Sequence, residues 1–386
     1  MYKNISTNFY GLHNLSKLNF KLIKTSLKKK YVTNDSYCKK FEKKIANFTG
    51  SKYCISCNSG TSALLISILA IKNKNPIIII PNINFVAVAN IVHMLEGKIV
   101  LCDVNKKTGM VDESTFQEII NKCRKKKIKP DIFIPVHYAG NILNLKVISK
   151  ICKKEKIKII EDGCHSFGSS SGKIKVGDSK LSEFSTFSFH PVKNITTIEG
   201  GAITTNSLKN YKKLTELKSF SLIKTNISDP YKLKTPSLNF RMGEINAAIG
   251  LDQMTKLNKF KTIRKNLVNY YIKKFKNIEN ILTIENKKSD QIFWHLLVIH
   301  LNKKFLKKKK KLMLFLKSKK INTQIHYKPI SEHKILEDKV ILSSKKNSMA
   351  FYKSQLTLPL HTHLNKKDID YIYKNIEFFF RGINKF

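Results

Sequence analysis

The chain is expected to fold as an α/β protein, with a large domain on a mostly parallel sheet and a smaller C-terminal α+β domain. Three observations point there. Between residues 53 and 205, short apolar runs without polar alternation come between segments of helical periodicity. Strands buried on both faces and joined by helical crossovers have that texture. A lysine, Lys193, stands in a turn between two of these runs, with His190-Pro191 before it and Glu199-Gly200-Gly201 after it. Beyond about residue 250 the pattern changes to a long amphipathic stretch and then to mixed short elements.

After a polar N-terminal arm, residues 41–48 read as a short helix and 54–57 as a strand. A strongly apolar helix over 62–72 opens directly after Ser59-Gly60-Thr61. Further strands are expected at 77–80, 99–102, 132–136 and 157–160, with helices over 87–95, 113–125 and 145–154 between them. Strands at 184–189 and 202–205 flank Lys193, which puts the lysine at the rim of the sheet. Residues 244–258 turn helical, and an amphipathic stretch follows over 260–275. The domain boundary is placed there, giving an arm and large domain over 1–250 and a small domain over 251–386. In the small domain, strands are expected at 293–301, 321–325 and 356–358, and helices at 307–317 and 368–380.

With 386 residues and 42% apolar side chains, the chain can fill two cores. Its charge is lopsided: 72 Lys+Arg against 27 Asp+Glu, a formal net charge of +45. Nearly all the basic residues are lysines, and their runs at 28–30, 125–127 and 307–311 are spread along the chain rather than gathered into a stripe. No nucleic-acid partner is expected from this. Arginine occurs only at Arg124, Arg241, Arg264 and Arg381, so each is a choice against the bias. Seven cysteines without framework spacing suit free thiols in a reducing compartment. Cys54-x-x-Cys57 lacks a second pair and reads as two small buried residues on a strand, so no metal site is expected. Met1 to Ser6 lack the apolar core of a signal peptide, and no segment reaches the roughly 20 apolar residues of a membrane span. A cytoplasmic protein without a membrane partner is expected.

Asp162 follows Lys158-Ile159-Ile160-Glu161 and so falls at the carboxyl end of a buried strand, where open α/β sheets bind ligands. A lysine can condense with an aldehyde, and a carboxylate that keeps a pyridine nitrogen protonated turns the attached ring into an electron sink. Lys193 with Asp162 therefore points to pyridoxal 5'-phosphate. Ser59-Gly60-Thr61-Ser62 fits a phosphate cradle: glycine admits close approach, hydroxyls donate, and the helix that begins there offers free N–H groups. Helix-capping is the ordinary use of such residues. Ser188 supplies another hydroxyl, and Phe85 is expected either to stack on a ring or to be an ordinary core phenylalanine. His165 is expected either to tune Asp162 by a hydrogen bond or to be a buried histidine bonded to backbone. Glu161 reads as a flanking salt-bridge residue.

Taken in order, several motifs resemble the DegT/DnrJ/EryC1/StrS group of nucleotide-sugar aminotransferases. They are Gly60-Thr61-Ser62-Ala63-Leu64, Pro81-x-x-x-Phe85-Val86-Ala87, Glu161-Asp162-x-x-His165, Ser188-Phe189-His190-x-x-Lys193 through Glu199-Gly200-Gly201, and Asn239-Phe240-Arg241-Met242. The resemblance spans roughly residues 33–363. It implies the fold type I of pyridoxal-phosphate-dependent transferases and a homodimer with shared active sites, using glutamate as amino donor and a nucleotide-linked keto-sugar as acceptor. It also implies roles: Lys193 as covalent anchor and proton carrier, Asp162 on the ring nitrogen, Gly60, Thr61, Ser62 and Ser188 around the phosphate, Phe85 on the ring face and His165 beside the cofactor. Asn239 resembles the residue that reaches the phosphate from the neighbouring subunit. His190, Arg241, His326 and Tyr327 are expected at the substrate.

Val136-His137-Tyr138-Ala139-Gly140, His295-Leu296, Ile325-His326-Tyr327-Lys328-Pro329-Ile330 and Leu358-Pro359-Leu360-His361 are most similar to one branch of that group. It aminates C4 of a UDP-linked 4-keto-6-deoxy-N-acetylhexosamine (altrosamine type) for pseudaminic-acid-type surface glycans. The alternatives are another keto-sugar, dTDP-linked or aminated at C3, and, from a different class, a non-enzymatic regulatory protein that binds pyridoxal phosphate. Gly163-Cys164 replace a frequent pair of alanines, and Ile198 replaces a frequent small residue. Lys193 argues against the group's 3-dehydratases, which carry histidine there.

Overall fold

The structure, a computed structural model, describes residues 6–383 apart from 16, 226, 228, 229, 277, 279, 280 and 284–290. Residues 1–5 of the expected arm lie outside the described residues. In chain order the strands begin with β1 (Tyr53–Cys57), β2 (Ile77–Pro81), β3 (Lys98–Cys102), β4 (Ile132–Phe133) and β5 (Lys158–Asp162). A small hairpin of β6 (Ser170–Ser171) and β7 (Ile174–Lys175) precedes β8 (Phe184–Ser188) and β9 (Gly201–Thr205). A second hairpin, β10 (Leu222–Lys224) with β11 (Tyr231–Leu233), precedes β12 (Ile281–Thr283), β13 (Leu297–Leu301), β14 (Val340–Ser343) and β15 (Gln355–Leu358).

The large sheet runs β1-β9-β8-β5-β4-β2-β3-β14. From β8 to β14 its neighbours are parallel, while β9 and β1 close the edge antiparallel. The uninterrupted apolar runs follow from this, because alternate residues of one strand feed opposite cores. Ile78, Ile80, Ile99 and Leu101 pack with Leu64, Val88 and Leu214 from helices Gly60–Ile71, Ala87–Met94 and Leu208–Leu217. Ile79, Val100 and Cys102 face the other way, against Phe116, Ile119, Leu145 and Ile148 of helices Glu113–Lys125 and Leu145–Lys154. Cys54 and Cys57 are buried free thiols on β1.

Three expected strands shorten for identifiable reasons. β4 stops at Phe133 because Pro135 has no N–H to give the ladder; beyond it, only Val136 bridges Asp162. Over 293–296 the N–H groups go elsewhere: Phe293 donates to Ser169 Oγ, and His295 and Leu296 donate to the Ala139 carbonyl. Residues 321–325 form only the isolated bridge Gln324 to Thr357, and the Asn322 N–H is taken by Thr7 of the arm.

The helical patterns at 244–258 and 260–275 are one helix, Glu244–Phe275, and the boundary expected at 250/251 falls inside it. Its first half packs Ala247, Ala248, Met254 and Leu257 on the large-sheet side, and its second half packs Leu267, Val268 and Tyr271 against β13 and β15. β14, late in the chain, returns to the large sheet beside β3. The arm also crosses over, since the Tyr10 carbonyl accepts the Leu360 N–H at 2.9 Å and the Asn14 carbonyl accepts from Gln253 Nε2 at 3.0 Å. No described helix is long and apolar enough to cross a membrane.

Candidate active site

β5 and β8 lie side by side and end together, with Asp162 paired to Thr186 two residues before Ser188. This carboxyl-end rim is where a parallel sheet leaves a crevice. After Ser188 the chain makes a closed loop: Phe189 and Gly200 are joined by an N–H···O bond of 2.8 Å, and Thr197 donates back to the Phe189 carbonyl at 2.9 Å. Lys193 lies on that loop, its N–H bonded to the His190 carbonyl at 2.9 Å. Asn194 anchors the loop from beneath by donating to the Phe293 carbonyl at 2.9 Å. The half-buried Lys193 side chain faces a cleft of about 280 Å³ that Asp162, Gly60, Thr61, Ser188 and Phe85 also line. Burial pushes the Lys193 amine below the ordinary lysine range, against the opposing pull of Cys164 and Asp162.

At one end of the cleft begins the helix Gly60–Ile71, capped by Ser59, whose Oγ accepts the Ser62 N–H at 3.0 Å. Gly60 passes so close to β8 that a Cβ there would lie 2.6 Å from Ser188 Cβ. Gly60 and Thr61 present the helix start to the cleft. Ser62 does not line it: its hydroxyl is turned back to Asn58 Oδ1 at 2.6 Å and braces the cap. At the other end, Asp162 is buried and takes the Cys164 N–H on Oδ1 at 3.0 Å.

His165 is held by Ala139 N–H on Nδ1 and lies 2.9 Å from the Tyr327 hydroxyl through Nε2, so it does not tune Asp162 by a hydrogen bond. Phe85 leans on Tyr327 with ring centroids 5.6 Å apart and keeps 54% of its surface exposed. His326 and Tyr327 enter from the C-terminal half. Burial and then the Lys193 charge push His326 down to about 3. His190 stands at the mouth, 3.9 Å from Glu199. Asn239 and Arg241 are not in this cleft: Asn239 Oδ1 accepts the Arg241 N–H, and Arg241 bonds Ser219 Oγ at 3.0 Å over the Phe220 ring. Glu161 pairs with His137 beside the cleft, as the flanking reading expected, but in a buried position where it also accepts from Ser182 and Ser185.

Sequence reasoning missed Tyr10, Asn84, Cys164, Val192 and Glu199 as cleft residues. Tyr10 gave no signal, because only tertiary folding brings the arm there; Cys164 and Glu199 were adjacent to motifs already in view. The donor set nonetheless fits pyridoxal phosphate. A helix start suits the phosphate, a half-buried amine the aldehyde, and a buried carboxylate the protonated ring nitrogen.

Residues 14–377 match the DegT/DnrJ/EryC1/StrS aminotransferase family. The chain belongs to that family. The UDP-4-amino-4,6-dideoxy-N-acetyl-beta-L-altrosamine transaminase of Helicobacter pylori is 31% identical to it over 366 residues, 94% of this chain and 95% of that protein. The solved structure of Helicobacter pylori PseC, an aminotransferase involved in the biosynthesis of pseudoaminic acid, superimposes with a TM-score of 0.88 at 28% identity, covering 97% and 99% of the two chains. The PLP form of the putative sugar aminotransferase Spr1654 from Streptococcus pneumoniae shares the fold, with a TM-score of 0.84 at 22% identity over 94% and 96%. This chain is an aminotransferase of the DegT/DnrJ/EryC1/StrS family, and its cleft residues fit pyridoxal phosphate.

Proposed function

We propose that the protein moves an amino group from glutamate to C4 of a UDP-linked 4-keto-6-deoxy-N-acetylhexosamine. The product would feed a pseudaminic-acid-type surface glycan, and the enzyme would work in the cytoplasm as a homodimer with shared sites. The observation that carries this reading is Lys193 and Asp162 lining one cleft, in a chain 31% identical to a transaminase named for that amino sugar. When bound, pyridoxal phosphate supplies the aldehyde that takes up the amine and the ring that withdraws electrons from the neighbouring carbon. Lys193, partly desolvated and so readily deprotonated, removes a proton from the donor's Cα and returns one to C4 of the sugar. Asp162 keeps the ring nitrogen protonated. Gly60, Thr61 and Ser188 hold the phosphate, and Phe85 covers a ring face.

The test is to supply purified protein with glutamate and a panel of UDP- and dTDP-linked keto-sugars. Product NMR is expected to place nitrogen at C4 of the UDP sugar. Nitrogen at C3, or turnover of dTDP sugars alone, would assign the protein to another branch of the family.

A further inference from the structure

Across the cleft, the Tyr327 phenol meets the His165 imidazole, the first from the C-terminal half and the second from the loop after β5, with Nε2 and the hydroxyl 2.9 Å apart. The direction of this bond is set on the far side of the imidazole. There the main-chain N–H of Ala139 points at Nδ1, 3.4 Å away, so Nδ1 accepts and a neutral ring must carry its proton on Nε2. Burial keeps the ring neutral: together with the charge of Lys193 it pushes His165 well below the usual histidine range. His165 therefore donates and the Tyr327 oxygen accepts. The phenol's own proton is then directed away from His165, and among the described residues the phenol has no second hydrogen-bond partner.

The same turn fixes both partners. The Ala139 carbonyl accepts the His295 N–H at 3.1 Å, and the Tyr138 hydroxyl donates to the His326 carbonyl, so the segments bearing His295 and Tyr327 are tied to the backbone that orients His165. Tyr327 is half-buried on the cleft wall, with His326 5.0 Å away ring to ring and Tyr10 5.1 Å beyond His326.

We infer that Tyr327 is a pre-aimed hydrogen-bond donor to a neutral oxygen of the acceptor sugar, and that His165 is the positioning residue that aims it. The inference rests on the sugar-aminotransferase reading and deepens it. Carboxylates of an amino donor are matched by a cation, such as Lys193 on this cleft or an arginine that a second subunit would bring, rather than by a phenol. A phenol backed by a neutral imidazole fits a carbonyl or hydroxyl oxygen instead. The aromatic wall of Tyr10, His326 and Tyr327 offers the flat apolar surface that the C–H face of a sugar ring covers. Because the donor is oriented before substrate arrives, binding has no cost of turning it.

The experiment separates the two half-reactions of the holoenzyme, following cofactor absorbance first with glutamate and then with the keto-sugar that the wild type turns over. Tyr327→Phe is expected to lower kcat/KM for the sugar half-reaction about tenfold, the worth of one neutral hydrogen bond, and to leave the glutamate half-reaction within about twofold. His165→Leu should reproduce that loss, and His165→Gln, whose amide N–H can reach the same oxygen, should restore most of it. In the double variant His165→Leu/Tyr327→Phe the losses should not add. Equal slowing of both half-reactions by Tyr327→Phe, or no change in either, overturns the assignment. Additive losses overturn the positioning role of His165. If the wild type turns over only a different keto-sugar, the proposed substrate fails, and the half-reaction comparison on that sugar still decides the role of Tyr327.

Discussion

His137 Nε2 and Glu161 Oε2 lie 2.8 Å apart in a buried pair directly behind Asp162. Successive side chains of a strand point to opposite faces, so β5 sends Asp162 to the cleft and Glu161 back toward His137. The Leu143 N–H donates to His137 Nδ1 at 3.0 Å, which leaves Nε2 as the donor to Glu161. Ser182 and Ser185 add hydroxyl donors. Burial alone would raise the Glu161 carboxyl, but these bonds outweigh it and hold the group below the usual carboxylate range.

Glu161→Ala would leave the buried His137 N–H without an acceptor and throw the Ser182 and Ser185 hydroxyls back on each other and on Ser179, and should cost about 3 kcal/mol of stability at neutral pH, read from urea midpoints. The sign of the pH dependence follows from the depressed value. The carboxylate contributes fully above its unfolded value of about 4.3 and loses that contribution as pH falls through its lower folded value. The gap between wild type and variant should therefore narrow below about pH 4. A gap that stays constant into acid would show that the pair is not what stabilises this side of the sheet.

Lys193 makes the opposite kind of contribution. Its folded value is lowered, so the folded apoprotein bears a penalty for the charged amine that is fully present below that value. The penalty fades as pH rises toward the unfolded lysine value of about 10.4. Lys193→Met should accordingly raise the apoprotein Tm at neutral pH, with the advantage shrinking in alkali. The same variant should lose the borohydride-trapped cofactor adduct and all turnover, a stability gain bought with function. Measurable turnover would remove Lys193 from the mechanism.

How far the sequence reaches can be judged from particular residues. Ile78 to Ile80 and Ile99 to Cys102 were legible as strands because burial on both faces writes itself as unbroken apolar runs. Asp162 was legible because it stands at the end of such a run, and Lys193 because His190-Pro191 and Glu199-Gly200-Gly201 bracket it in the turn after a strand. β14 was not, since a short strand's membership of a distant sheet is decided by long-range pairing with β3. Tyr10 was hidden for the same reason. Arg264 stood out only as a rare arginine; in the fold its buried Nη1 donates to the carbonyls of Trp294, His295 and Leu360 and ties the long helix to the cleft wall.

Gly60→Ala tests the phosphate cradle. Its Cβ would sit 2.6 Å from Ser188 Cβ and 3.2 Å from Ser188 Cα, so the helix start must shift away from β8. The shift displaces the free N–H groups from the phosphate more than it disturbs the core. The cofactor Kd should rise about tenfold, roughly 1.4 kcal/mol, while the apoprotein Tm falls only slightly. An unchanged Kd, measured by titrating the apoprotein, would place the phosphate elsewhere.

Asn239 and Arg241 pose the last question, because both lie outside the cleft of their own chain. They stand beside a run of exposed apolar side chains, Phe220, Leu222, Ile223, Leu233 and Leu238, the last keeping 57% of its surface exposed. Leu222 and Leu233 pair directly across the β10–β11 hairpin, and exposed apolar side chains gathered so closely are ordinarily covered in use. If a second copy covers it and each site is completed by the neighbour's Asn239 and Arg241, the two defects can be separated onto different chains. A dimer of one Lys193→Ala chain and one Asn239→Ala/Arg241→Ala chain would then contain one site with both defects and one with neither. Two-fold symmetry makes the intact site equivalent to a wild-type one, so mixed dimers should recover up to about half of the wild-type activity per dimer. The measurement is activity after reversible subunit exchange between the two inactive variants, with exchange verified by tags. Exchange without recovery would mean that each chain builds its own site, with Asn239 and Arg241 serving only to hold the segment against Ser219 and Phe220.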